Sequence, residues 1–215
     1  TLEGERKARA LALYGATATG DADAILGDPG IDPVIIASPT PTHVDLLTAC
    51  ARAGKAVLCE KPIDLDLARV DACWEEIKGL NATVMIGFNR RFDPTFAEVR
   101  ERVAGGEIGR LEQLLITSRD PAPAPAAYIA SSGGLFRDMT IHDFDMARFV
   151  TGSEGVEVFA RGGLRVAPEF AEADDIEVGQ RGLVEFPLGP RPRFFWWAPA
   201  SSTPRAAGTI WKSRK

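Results

Sequence analysis

The sequence predicts an α/β protein. It reads as a partial, parallel doubly wound sheet domain followed by an incomplete α+β domain with an open sheet. Three observations predict this. Short apolar runs (Val34–Ala37, Ala56–Cys59, Thr83–Phe88) alternate with amphipathic stretches of helix length. Strand–helix–strand succession of this kind is almost always right-handed and parallel. After Asn89 the alternation stops, and weaker strand and helix patterns follow one another without a βαβ rhythm.

In chain order, residues 3–14 carry Ala8, Leu11, Ala12 and Leu13 among charges, which predicts an amphipathic helix ending near Gly15. Residues 21–27 predict a short second helix, and Asp28-Pro29-Gly30 a turn. The run 34–37 is too short for a helix and predicts a buried parallel strand. Ser38-Pro39-Thr40-Pro41-Thr42 is a loop. Thr40 or Thr42 caps a helix through Leu46, Leu47, Cys50 and Ala53 to Gly54. A strand at Ala56–Cys59, a helix at 65–79 and a strand at Thr83–Phe88 complete the first half. The second half predicts a helix at 92–104, a strand at Leu111–Ser118, a proline-rich loop DPAPAPAA, and a helix at 138–151. Strands at Val156–Arg161 and Gly182–Phe186 precede a tail rich in Pro, Arg, Ser and Trp that reads as irregular. The domain reading is 1–90 for the first half, 91–186 for the second and 187–215 for the tail.

The bulk composition excludes several functions. The chain has 215 residues, 45% hydrophobic and 26% charged, with a net charge of −5. Without a basic stripe, nucleic acid is excluded as a main partner. No apolar run approaches the ~20 residues that span a bilayer. Cys50, Cys59 and Cys73 form no C-x-x-C pair and read as buried thiols in a reducing cytoplasm. Two histidines, His43 and His142, with no cysteine nearby, offer no metal site.

In parallel α/β sheets, ligands sit beyond the carboxyl ends of the strands. Ser38–Thr42, Glu60-Lys61-Pro62 and Asn89-Arg90-Arg91 all occupy such ends. Lys61 has two readings: a solvated strand end, or a cation that donates to a substrate oxygen. Asp138, His142 and Asp145 are spaced four and three apart and share one face of a helix. As a set they read either as a solvated face or as a histidine base oriented by carboxylates. Asp143 falls off that stripe and reads as surface. His43 reads as a capping residue or a ligand contact, and Ser38 and Thr40 as hydroxyls for a ribose or phosphate. Arg90 and Arg91 read as cleft cations or surface charges.

The succession VIIASPTPTH, AVLCEKP, VMIGFNRRFDP, GEIGR, SRDPAPAP and GGLFRDMTIHDFDMARFVTG closely resembles the glucose–fructose oxidoreductase, inositol dehydrogenase and MocA family. Within it the resemblance is nearest to the inositol 2-dehydrogenases, over residues 1 to 165 or so. The resemblance implies a Rossmann domain followed by an open mixed-sheet domain, and hydride transfer between NAD and a polyol or sugar ring hydroxyl. It implies Lys61 bonding the reacting oxygen, Asp138 and His142 as the catalytic pair, and Asp145 as a substrate-hydroxyl ligand. It places Arg90 near the nicotinamide. Ser38, Pro39, Thr40, His43 and Glu60, with Lys61, fall at the cofactor. Family members are often homo-oligomers.

The chain departs from the family at both ends. The strand and G-x-G-x-x-G turn that hold the pyrophosphate are absent, as is the acidic residue that reads the ribose, so NADP stays open beside NAD. The strand at 34–37 is then expected to keep an unpaired edge. From about Glu177 the sequence stops resembling the family, which points to a truncated or frame-shifted product. The alternative function is accordingly an inactive family fragment that serves as a binding or assembly module.

Overall fold

The structure is a computed structural model that describes residues 9, 11–16, 19–118, 124, 125, 128, 131–155, 157–161, 181–185 and 209–211. The chain forms two compact units, Thr1–Ile86 and Gly87–Lys215.

In the first unit, residues 11–14 are helical, and the rest of the helix expected at 3–14 lies mostly outside the described residues. Helix α1 (Ala22–Gly27) starts where the Asp21 carboxylate accepts from the N–H groups of Asp23 and Ala24. Strands β1 (Pro33–Ile36), β2 (Ala56–Cys59) and β3 (Val84–Ile86) form a parallel sheet in that order. Helices α2 (His43–Arg52) and α3 (Leu67–Ile77) make the two crossovers. Gly54, at φ +71, ends α2 in a conformation that side chains rarely adopt. Buried Lys55 then donates from Nζ to the carbonyls of Asp28 and Ile31, both at 2.6 Å, which anchors the turn before β1.

The strand register explains the core. Val34, Val57 and Val84 lie in one row and Ile36, Cys59 and Ile86 in another. These rows pack with Val44, Leu47, Cys50 and Ala51 of α2 and Cys73 and Ile77 of α3. Ile35, Leu58 and Met85 form the alternate row. There Ile35 is 69% exposed and Met85 46% exposed. Parallel sheets are ordinarily covered on both faces, but here Ile35 and Met85 stay exposed, with Leu58 between them half-buried.

The second unit begins with a 3-10 turn at Asn89–Phe92 and helix α4 (Pro94–Ala104), capped by the Asp93 carboxylate. Helices α5 (Gly134–Asp138) and α6 (Thr140–Thr151) follow. Strands β4 (Glu157–Arg161), β5 (Arg181–Glu185) and β6 (Thr209–Trp211) form an antiparallel sheet ordered β5-β4-β6.

Three expectations are corrected here. Residues 111–118 form no strand, because none of the described residues pairs with them. Leu114 and Ile116 still pack on Ala147, so the alternation served burial without a ladder. The helix expected at 138–151 starts only at Thr140, and a separate short helix, α5, ends just before it at Asp138. Gly133 and Gly134, both at positive φ, open α5, and it closes with the Met139 N–H bonded to Leu135 O at 3.1 Å. Within the tail, residues 209–211 pair with β4 instead of being irregular. The expected proline-rich loop lies mostly outside the described residues.

Candidate active site

The first unit supplies the loops at the carboxyl ends of β1 and β2. The Glu60 N–H donates to Ile36 O at 2.9 Å and ties the two strand ends together. Lys61 follows, half-buried, and Pro62 is buried behind it through a cis peptide bond. On the neighbouring loop, Thr42 donates from N and from Oγ1 to Pro39 O, at 2.9 and 2.8 Å. The Ser38 and Thr42 hydroxyls lie 2.5 Å apart. Ser38 and Thr40 are half-buried and Pro39 is exposed, so this loop keeps polar atoms near solvent.

His43 departs from its expected place. It is 1% exposed, with Nδ1 2.8 Å from Pro62 O and Nε2 2.7 Å from Ser38 O. Both ring nitrogens face backbone carbonyls, which leaves none to meet a cofactor. Burial also pushes the Cys59 thiol up to about 11, helped by Glu60 and by Cys73 and Cys50. Cys50 is raised for the same first reason. All three cysteines are buried and unbridged.

The second unit supplies the carboxylates and the second histidine. Asp138 ends α5 and accepts from Tyr128 Oη at 3.1 Å. His142 lies in the first turn of α6, and Phe88 meets its ring edge-on at 6.3 Å and 88°. The break at Met139 means that Asp138 and His142 come from two helices, not from one continuous stripe.

Two arginines hold α6. Arg90 Nη1 donates to Asp143 Oδ1 at 2.7 Å, and Ser118 Oγ donates to the same oxygen at 2.6 Å. Arg91 grips Asp145 in bidentate fashion, Nε to Oδ2 at 2.8 Å and Nη2 to Oδ1 at 2.6 Å. That hydrogen bond raises the Arg91 guanidinium above its ordinary range. Its face also lies 5.4 Å from the Phe149 centroid.

Several readings are therefore revised. Asp145, expected to meet a substrate hydroxyl, is 4% exposed and taken up by Arg91. Asp143, expected at the surface, is 4% exposed and is the counter-charge of Arg90. Arg90, expected at the cleft, spends its charge on that pair. Sequence reasoning missed Tyr128, Ser118 and the paired role of Asp143. The one available signal was that Arg90-Arg91 and Asp143-x-Asp145 are matched in number and opposite in sign. Among the described residues, no group of three or more His, Cys, Asp or Glu side chains could hold a metal ion. No helix there is long and apolar enough to cross a membrane.

The parallel sheet with its helices is a Rossmann-like α/β fold, the frame of nucleotide-dependent oxidoreductases. Residues 3–88 match the model described as "Oxidoreductase family, NAD-binding Rossmann fold", and residues 96–188 match "GFO/IDH/MocA C-terminal domain". The chain belongs to the GFO/IDH/MocA oxidoreductase family. It is 52% identical over 155 residues to the inositol 2-dehydrogenase of Rhizobium meliloti, covering 72% of this chain and 47% of that protein. It is 50% identical over 157 residues to the myo-inositol 2-dehydrogenase of Thermotoga maritima, covering 73% of this chain and 47% of the relative. Among solved structures, it is similar to a probable dehydrogenase from Thermotoga maritima, with TM-score 0.83 and 44% identity over 89% of this chain and 58% of the other. A scyllo-inositol dehydrogenase from Lactobacillus casei, solved with bound NAD(H) and scyllo-inositol, matches with TM-score 0.69 and 33% identity over 82% of this chain and 53% of the other. The chain spans about half the length of these relatives.

Proposed function

We propose that this chain carries the reacting residues of an NAD-dependent dehydrogenase that oxidises a ring hydroxyl of a polyol of the inositol class. The observation that carries this reading is that both family matches fall in one chain. The first contains Lys61, and the second contains Asp138 and His142.

NAD fits the first unit by the chemistry of its loops, which offer hydroxyls and backbone groups at the carboxyl ends of parallel strands. Ser38, Pro39, Thr40, Glu60 and Lys61 would hold it; NADP would use the same loops. When bound, the cofactor supplies the hydride acceptor. Lys61, as an ammonium, donates to the reacting oxygen and stabilises the charge that develops there. His142 takes the hydroxyl proton, and Asp138 favours the protonated imidazole electrostatically. Tyr128 in turn steadies the Asp138 carboxylate. Arg90 and Arg91 act through Asp143 and Asp145 by holding α6, and so orient His142. In this reading the protein is cytoplasmic and works as a homo-oligomer.

The test is calorimetric titration of the chain with NAD, followed by addition of myo-inositol while NADH absorbance is recorded. Saturable binding and NADH formation that is lost in Lys61→Ala and His142→Ala support the reading. A folded chain that binds no NAD sinks it. A second reading, an inactive assembly module, is favoured by the exposed Ile35 and Met85 on the alternate row of the sheet. It predicts concentration-dependent self-association that Ile35→Glu weakens.

A further inference from the structure

We propose that His43 is a positioning residue for Lys61, an inference that rests on the reading just given. Its ring stands between two loops. Nδ1 faces Pro62 O at 2.8 Å, Nε2 faces Ser38 O at 2.7 Å, and the residue is 1% exposed. Solvent therefore competes little for either contact, and a buried polar group left unmatched is costly.

Lys61 is held on both sides. Before it, the Glu60 N–H is tied to Ile36 O at 2.9 Å. After it, the Pro62 carbonyl receives the His43 ring. Proline has no N–H, so that carbonyl is the only backbone group through which residue 62 can be hydrogen-bonded. The ring is placed by the 3-10 turn Thr40–Thr42, which delivers His43 as the first residue of α2.

The two nitrogens have separable tasks. Nδ1 acts on the Lys61 loop and Nε2 on the Ser38 loop. Both partners are carbonyls, which only accept. The ring ties both loops when it carries both protons, and the neutral ring ties one. Donation from Nδ1 is what positions Lys61.

The two substitutions separate these tasks. The amide nitrogen in His43→Asn falls near the place of Nδ1, and that in His43→Gln near the place of Nε2. The chain is reductively methylated with isotope-labelled formaldehyde, and the Lys61 methyl resonance is identified by its loss in Lys61→Arg. The expected result is a Lys61 resonance that stays in place in His43→Asn and shifts and broadens in His43→Gln. Inositol oxidation follows the same order: kcat falls about 10-fold or more in His43→Gln and stays within about 3-fold in His43→Asn. KM for NAD shows the reverse order. The proton–nitrogen spectrum of the unaltered chain shows a slowly exchanging Nδ1–H on His43, assigned against His142→Ala; this holds even where a variant fails to fold.

Equal responses of the two variants, or a ring with no proton on Nδ1, overturn the proposal. Undiminished oxidation in Lys61→Ala instead overturns the catalytic reading, and the methyl resonance still decides whether His43 positions Lys61.

Discussion

In the first unit the loop around Lys61 hangs on hydrogen bonds to main-chain carbonyls, 2.9 Å from Glu60 N to Ile36 O and 2.8 Å from His43 Nδ1 to Pro62 O. In the second, α6 is clamped by two guanidinium–carboxylate pairs, Arg90–Asp143 at 2.7 Å and Arg91–Asp145 at 2.6 Å. The contrast follows from what each must hold. A loop at the end of a parallel sheet already has its strand ladder and needs only local ties. A helix packed on irregular neighbours has no ladder, and charge supplies the long-range fix. The ties of the first unit gain their strength from burial. Those of the second depend on each charge keeping its partner.

The sharpest way to break the comparison is to remove one guanidinium. Arg91→Ala leaves the Asp145 carboxylate, 4% exposed, without its counter-charge. Because the arginine side chain is itself 38% exposed, the expected loss is about 3 kcal/mol, at the low end for broken buried pairs. Urea unfolding followed by circular dichroism reads it; a loss below about 1 kcal/mol would place the pair with ordinary surface bridges.

The next effect tests burial in the first unit. The Cys59 thiol is raised from an ordinary 9.0 to about 11, first by burial. Unfolding frees it to ionise at the lower value, so its contribution is full below pH 9 and is lost as the pH climbs toward 11. The expected loss across that window is about 2–3 kcal/mol. The measurement is the slope of unfolding free energy against pH for the wild type and for Cys59→Ala. Parallel slopes would count against the burial.

Arg90→Ala comes third, at about 1.5–2 kcal/mol, because the Ser118 hydroxyl still donates to Asp143 Oδ1 at 2.6 Å. On the proposed dehydrogenase reading its oxidation rate falls with the helix's grip, and an unchanged kcat would show that Asp143 does not steady His142. Smallest is Arg148→Ala. Arg148 and Glu154 pair at 2.7 Å with side chains 48% and 73% exposed, and the melting temperature should not move. A measurable drop would mean that exposed pairs also clamp α6.

Much of the first unit was legible because its signals are local. β2 has the expected bounds, Ala56–Cys59, since a short apolar run between Gly54-Lys55 and Glu60-Lys61-Pro62 has no other use for its length. The helix from His43 stops where Gly54 permits positive φ. Asp93-Pro94 opens α4 as a capping residue followed by proline. The unit boundary falls at Ile86 and Gly87, a few residues earlier than composition alone placed it. Residues 88–91 belong with α6 through Phe88, Arg90 and Arg91.

By itself the sequence determined the parallel βαβ alternation, the buried thiols and the family signature, because backbone propensity, periodicity and caps act over a few residues. Only the tertiary structure decided which charges are spent. Asp143 looked exposed from the stripe of its own helix, yet its partners Arg90 and Ser118 lie 53 and 25 residues away. His43 read as a capping residue or a ligand contact, yet it is buried against Pro62, 19 residues on. A helical face shows which residues lie side by side along one element. It does not show which distant carbonyl or guanidinium the fold will bring against them, and that meeting sets burial, pairing and the role of the side chain.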